Sequence, residues 1–185
     1  MTKKIIVAVT GASGSIYASD LIQKLIKLTN SEIAVIRSAN AMMVWQHELE
    51  TGWPFGDQIQ YFDNKDFMAP FASGSSAWDA MVIIPASMGT IGRIAHGISD
   101  GLITRAADVM LKEKKHVIIC PRETPWNLIH IENLKLLHLA GALIMPTSPS
   151  FYSKPKDIQA LIGTVSDRII DHLKIEHTSF RWGKK

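Results

Sequence analysis

The chain has one cysteine in 185 residues, Cys120, so no internal disulfide is available. That usage fits a reducing compartment. No run of 18 apolar residues occurs, which argues against a membrane-spanning helix. The opening Met1-Thr2-Lys3-Lys4 leads straight into a short strand-like run, without the apolar segment and small-residue cleavage site of a signal peptide. A cytoplasmic location is the expectation. Metal-ligand spacing is missing as well: the histidines, among them His47, His96, His130 and His138, form no pattern with Cys or carboxylates. There is no G-x-S-x-G elbow, no G-x-G-x-x-G and no G-x-x-x-x-G-K-[ST]. Charge of one sign is not in large excess. The net charge is +3, and the basic clusters, Lys112 to Lys115 and Lys184-Lys185, are short, so nucleic acid is not an expected partner.

What is present is apolar material for a real core: 46% of residues are hydrophobic and 20% charged, which fits a single domain over 1–185. Lys3 to Val9 reads as a buried strand, continuous and rich in β-branched residues. Leu21, Ile22, Leu25, Ile26 and Leu28 recur at helical spacing within a helix from Ile16 to Leu28. Further strands are expected at Glu32 to Ile36, Ala80 to Pro85, His116 to Cys120 and Ala142 to Met145. Helices are expected at Ala39 to Glu50, up to about Ala95, and at Asp100 to Lys115, Glu132 to Leu139 and Pro155 to Leu173. Residues 53–61 read as a loop with a short strand near Ile59, and 67–76 as a functional loop. Strands alternating with helices imply a parallel sheet covered on both faces, a three-layer αβα sandwich. Ligands of such sheets sit beyond the carboxyl ends of the strands.

Those ends carry the chemistry. Thr10-Gly11-Ala12-Ser13-Gly14-Ser15 is a tight glycine turn between strand and helix, where first-turn N–H groups suit an anion. A dinucleotide site wants a carboxylate after the second strand; Ile36-Arg37-Ser38-Ala39-Asn40 has none, which leaves a mononucleotide with Ser38 as hydroxyl donor. Ser87 and Thr90 flank Gly89 after the central strand; each is a ligand hydroxyl or, for Ser87, a helix cap. Arg105 and Lys112 lie seven apart on one helix and share a face, with Asp108 and Glu113 within pairing distance. Arg122-Glu123, bracketed by Pro121 and Pro125, faces the ligand edge; Arg suits phosphate and Glu proton transfer. Tyr152 follows the last strand. Arg168 sits among apolar residues of the final helix, on the ligand side or exposed. Cys120 reads as core rather than nucleophile. Phe180 to Trp182 is apolar for a chain end and suggests docking on a neighbouring copy.

Several of these segments together resemble the flavin prenyltransferases of the UbiX type. They are Thr10 to Ser15, Met68 to Ser76, Pro85 to Thr90, the T-R-A-A-D-V-M-L-K-E block from Thr104 to Glu113, P-R-E-T-P from Pro121 to Pro125, Pro149 to Tyr152, and Arg181-Trp182-Gly183. The resemblance implies a flavodoxin-like, Rossmann-like fold and a homododecamer. It implies that FMN in its reduced form and dimethylallyl phosphate are joined to give prenylated FMN, without a metal, for a UbiD-type decarboxylase. Carried over by motif, Gly11, Ala12, Ser13, Ser38, Ser87, Met88, Gly89, Thr90 and Arg122 would hold FMN, with the first turn on its phosphate. Tyr152 and Arg168 would hold the dimethylallyl phosphate, with Arg105 and Lys112 near its phosphate. Glu48 aligns with a family glutamate at the subunit junction. Ala86 stands where many members have Cys, and Gly89 where some have Lys.

The implied reaction breaks the allylic C–O bond. Arg, Lys and Tyr donors stabilise the leaving phosphate, and the face of Trp182, with Tyr152 second, stabilises the allyl cation. Ring closure at C6 needs a base, either the bound phosphate or Glu123. Two other readings stay open at this point. One is a flavin-dependent cysteine-type decarboxylase, which the solitary Cys120 disfavours. The other is a non-catalytic FMN-binding protein.

Overall fold

Six parallel strands form the sheet: β1 (Lys4–Val9), β2 (Glu32–Arg37), β3 (Gln60–Asp63), β4 (Ala80–Ala86), β5 (His116–Pro121) and β6 (Leu143–Ile144). Their order is β3-β2-β1-β4-β5-β6. This computed structural model describes residues 3–53 and 55–183. The Lys184-Lys185 cluster and the Met1-Thr2 start lie outside the described residues. The helices are α1 (Ser15–Leu28), α2 (Ala39–Leu49), α3 (Met88–Ala95), α4 (Leu102–Lys112), α5 (Leu128–Leu139) and α6 (Ile158–His172).

Continuous apolar runs become the central strands because both of their faces must be covered. Every residue of β4 is buried. Alternate residues point to opposite faces. Ile6, Ala8, Ile36, Met81, Ile83 and Ile119 pack under α3, α4 and α5. Ile5, Val7, Val35, Val82, Ile84 and Cys120 pack under α1, α2 and α6. This is the three-layer αβα sandwich the alternation predicts. The chain builds β1, β2 and β3 to one side, then returns to add β4, β5 and β6 on the other. The reversal leaves a crevice between the carboxyl ends of β1 and β4, where ligands of doubly wound sheets bind.

Several boundaries differ from the sequence reading, each for a local reason. The strand near Ile59 is real and forms the edge, β3, paired parallel with β2. α5 starts at Leu128 rather than Glu132, because Asn127 Oδ1 accepts the His130 N–H at 2.9 Å and caps it. Its Leu128, Ile129, Leu136 and Leu139 are exposed, so helical periodicity gives no cue to the start. α6 begins at Ile158, after an Asp157 cap that accepts from the Ala160 N–H at 2.7 Å. α4 ends at Lys112, before Lys114 turns left-handed with φ 53°.

Candidate active site

Thr10 ties the two strand ends that frame the crevice. Its Oγ1 donates to Pro85 O at 2.6 Å and accepts the Ser87 N–H at 2.9 Å. Gly11 has no room for a side chain, since a Cβ there would lie 2.5 Å from Asn40 Cβ. Its close approach is therefore to α2. Ser38 and Ser87 are the caps of α2 and α3: Ser38 Oγ accepts the Ala41 N–H at 3.0 Å and Ser87 Oγ the Thr90 N–H at 3.4 Å. Both capping serines nevertheless line one cavity of about 230 Å³, together with Gly11, Thr90 and Arg93. Arg93 brings the cavity a cation; its Nη2 reaches Thr90 Oγ1 at 3.5 Å and its Nε lies 3.5 Å from Asp100. Met88 is 7% exposed and belongs to the core, so only its main chain is free to meet a ligand.

The first turn departs from the expectation of an open anion site. Glu48, near the end of α2, inserts its carboxylate at the start of α1. Oε2 accepts the Ser15 N–H at 2.7 Å, and both oxygens accept the Gly14 N–H at 3.0 Å. The first-turn donors expected to hold a phosphate thus already have an anion. Burial raises the Glu48 carboxyl, but hydrogen bonds from Ser13, Ser15 and Gly14 overcome this and hold it below the ordinary glutamate value. Gly14 makes the turn at φ 110°, which a side chain would strain. Arg122 closes the far side by donating from Nε to Ser13 O at 2.7 Å. Tyr17 stands beside Arg122, its phenol raised by burial and lowered in part by that charge.

The structure thus gathers Gly11, Ala12, Ser13, Ser38, Glu48, Ser87 to Thr90 and Arg122 at the carboxyl ends of β1, β2, β4 and β5. It places the remaining expected residues elsewhere. Arg105, in α4, donates from Nε to Ala72 O at 3.0 Å and lies 3.7 Å from Asp108. Lys112 is two turns further on, about 10 Å along the axis, where its stem borders Gly74. Glu123 is exposed, its Oε1 accepting the Thr124 N–H at 3.0 Å. Tyr152 and Trp182 meet edge to face at 5.0 Å. Arg168 is exposed and paired with Asp171 at 3.0 Å. The aromatic tail expected to dock on a neighbour is tied to its own chain through Arg181 and Asp171, 2.6 Å apart.

Sequence reasoning missed Asn40, Asn64, Arg93, Asp100 and Thr104, all of which line the cavity. Asn64 also caps α4 from the loop after β3, its Oδ1 accepting the Ile103 N–H at 2.8 Å. A cap 39 residues away leaves no local signal. Arg93 could have been found as the residue one turn after Thr90, on the same face of α3. Among the described residues no group of three His, Cys, Asp or Glu side chains is arranged to hold a metal ion. No helix among them is long and apolar enough to cross a membrane.

The fold and the crevice define a class first. Residues 1–170 match the family model described as Flavoprotein, and the chain belongs to that family. It is 44% identical over 183 residues to the flavin prenyltransferase UbiX of Methanocaldococcus jannaschii, covering 97% of this chain and 98% of that one. Within the family it falls with the flavin prenyltransferases. Among solved structures it superposes on AnUbiX (PadA1) in complex with FMN and dimethylallyl pyrophosphate, with a TM-score of 0.92 and 32% identity over 98% of this chain and all of that one. A dodecameric FMN-dependent UbiX-like decarboxylase from Escherichia coli O157:H7 superposes with a TM-score of 0.91 and 35% identity, over 98% and 100% of the two chains.

Proposed function

We propose that residues 1–185 form one flavoprotein domain that transfers a dimethylallyl group from dimethylallyl phosphate to N5 and C6 of reduced FMN. The observation that carries this reading is the polar crevice at the β1/β4 reversal, with the Ser38 and Ser87 caps and Arg93 around it. It fits a flavin mononucleotide: two capping hydroxyls, the α3 N-terminus and one cation suit a phosphate monoester. With Glu48 already at the α1 N-terminus, the phosphate belongs at Ser38, Ser87, Thr90 and Arg93, and the turn 11–13 with Arg122 borders the ring. Reduced FMN, a substrate here, supplies the nucleophilic nitrogen and the carbon that closes the new ring.

The chain's own residues do the rest. Arg105, Lys112, Tyr152 and Arg168 bind the allylic phosphate and take up the charge that develops as its C–O bond breaks and the electron pair leaves with phosphate. Trp182 and Tyr152 offer ring faces to the allyl cation. Glu48, held ionised beside Ser13, is placed to accept a proton at the ring edge. Glu123 or the departing phosphate takes the C6 proton. Because Arg105, Lys112 and the Tyr152 group lie apart from the crevice in one chain, the working site combines residues of neighbouring copies, and the homo-oligomer is a dodecamer like that of the relative from E. coli. The enzyme acts in the cytoplasm and hands its product to a UbiD-type decarboxylase.

The test is to incubate the protein with reduced FMN and dimethylallyl phosphate in EDTA and measure the flavin mass. A gain of one C5H8 unit is expected, and unmodified FMN alone would overturn the reading. Co-expressing Arg105→Ala with Glu48→Gln should recover part of the activity lost by each. No recovery in mixed oligomers would place both residues in a site made by one copy. The cysteine-decarboxylase alternative fares poorly because Cys120 is fully buried in β5 and burial raises its thiol far above the reactive range.

A further inference from the structure

One carboxylate outside the crevice collects an unusual number of partners. Asp171, in the last turn of α6, accepts from Arg181 Nη1 and Nη2 at 2.6 Å each, one to each oxygen. His177 Nε2 donates to Oδ1 at 2.9 Å, and Arg168 Nη1 donates to Oδ2 at 3.0 Å. The His177 side chain is 2% exposed and that of Asp171 17%. Such a forked, charge-assisted pair is strong for its size. The Arg181 hydrogen bonds, against the effect of burial, hold the Asp171 carboxyl far below the usual carboxylate range.

Two of these partners, His177 and Arg181, come from a segment without regular structure. After α6 the chain turns at Lys174, with φ 54°, and Ile175 N–H bonds back to Ile170 O at 3.2 Å. It then folds back along α6 to Trp182. This return forms one wall of a cavity of about 220 Å³ whose other wall carries Thr164 and Arg168. Ser179 and Phe180 line that cavity from the tail. Ser179 Oγ is buried there without a hydrogen-bond partner among the described residues. Arg181 is the last tie before Trp182, whose ring meets Tyr152. The carboxylate that anchors the tail also orients Arg168.

We infer that Asp171 is a positioning residue: with His177 and Arg181 it clamps the tail onto α6 and so sets Trp182, Tyr152 and Arg168 as one wall of the allylic-phosphate subsite. The inference rests on the reading that Tyr152, Arg168 and Trp182 meet the allylic phosphate. Asp171 itself touches no substrate. Without its charge the tail leaves α6, Arg168 loses its orienting partner, and the aromatic pair opens. The flavin crevice, built from other strand ends, is untouched.

The experiment compares Asp171→Asn and Arg181→Gln with the wild-type full-length oligomer; the second change lies at a more exposed side chain and tolerates replacement if the first does not fold. Trypsin cleavage after Lys174, followed by mass spectrometry, should be at least about ten-fold faster in both. The KM for dimethylallyl phosphate should rise about ten-fold or more while FMN affinity stays within about two-fold, and Asp171→Glu should restore most of the difference. Cleavage and KM both unchanged would overturn the clamp. So would a KM shift that comes with a matching loss of FMN affinity, because that marks a general structural defect. Arg168→Met is run in parallel. If it leaves KM unchanged, the subsite reading fails, and the trypsin arm alone decides whether the clamp exists. If it raises KM while Asp171→Asn does not, the clamp inference fails and the subsite stands.

Discussion

Two helix starts face the same crevice and are handled in opposite ways. α1 follows β1 and receives a carboxylate from Glu48, 34 residues further along the chain. α3 follows β4 and receives only the hydroxyl of its own cap, Ser87, with Arg93 one turn above Thr90. Both present unpaired first-turn N–H groups in principle. One is neutralised from within, and the other keeps only its hydroxyl cap, with Arg93 shared between the cavity and Asp100. The glycine content of a turn therefore does not identify a phosphate site. What identifies it is whether the fold already supplies the anion. The glycine-rich turn after β1 is the filled one, and the less conspicuous Ser87-Met88-Gly89-Thr90 turn is the open one.

That contrast can be broken most severely at Gly11. Gly11→Val forces a side chain into Asn40 and should displace the whole 10–13 turn, lowering stability by about 1–3 kcal/mol. FMN binding should fall by roughly 100-fold in a fluorescence titration; retention of both would mean that the turn is not wedged against α2. Glu48→Gln comes next. It removes the internal anion, and the thermal midpoint should drop by the equivalent of about 1–2 kcal/mol. Turnover should fall further than FMN affinity, and a larger loss of FMN affinity would show that Glu48 binds rather than reacts.

The Glu48 contrast also has a pH signature. Its folded carboxyl lies below its unfolded value of about 4.3. The stability it contributes is therefore complete above that unfolded value and lost as pH falls through the lower folded one. Chemical denaturation should find a constant gap between wild type and Glu48→Gln from about pH 8 to about pH 5, closing below about pH 4. A gap that changes between pH 6 and 8 would point to another group.

Smaller effects sharpen the other helix start. Ser87→Ala removes a cap for about 1 kcal/mol, and FMN affinity should weaken about ten-fold because the same hydroxyl lines the crevice. An unchanged affinity would move the phosphate away from α3. Gly89→Ala should do least: the nearest atom to a new Cβ is Arg93 Nη1 at 3.8 Å. Helix propensity then favours the variant by up to about 1 kcal/mol, so a lower midpoint would contradict the open space seen there.

Much of this was legible before the structure. The apolar runs at Ile5 to Val9 and Ala80 to Pro85 could only be central strands, and Ser38 and Ser87 follow their strands in cap positions. The T-R-A-A-D-V-M-L-K-E and P-R-E-T-P blocks carried the family. Less legible were elements whose signal is weak or distant. β3 has only four residues, Gln60 to Asp63, and polar ones at both ends. Most apolar residues of α5 are exposed, Leu134 and Leu137 being the buried exceptions, and α4 borrows its cap from Asn64. The tail reads as docking on a neighbouring copy, because its tie to Asp171 joins residues ten apart with no shared element.

The sequence by itself determined the alternation of strand and helix, the polar turns at the carboxyl ends, and membership of the flavin prenyltransferases, since these depend on local periodicity and contiguous motifs. Only the tertiary structure decided which turn keeps its anion site and which group holds the chain end. Those outcomes turn on which of 17 carboxylates meets the α1 start and which meets the tail. That is set by the packing of α2 against α1 and by the return of the tail along α6. A hydrogen bond acts over about 3 Å, while the residues that make it stand 34 apart for the α1 start and 10 apart for the tail.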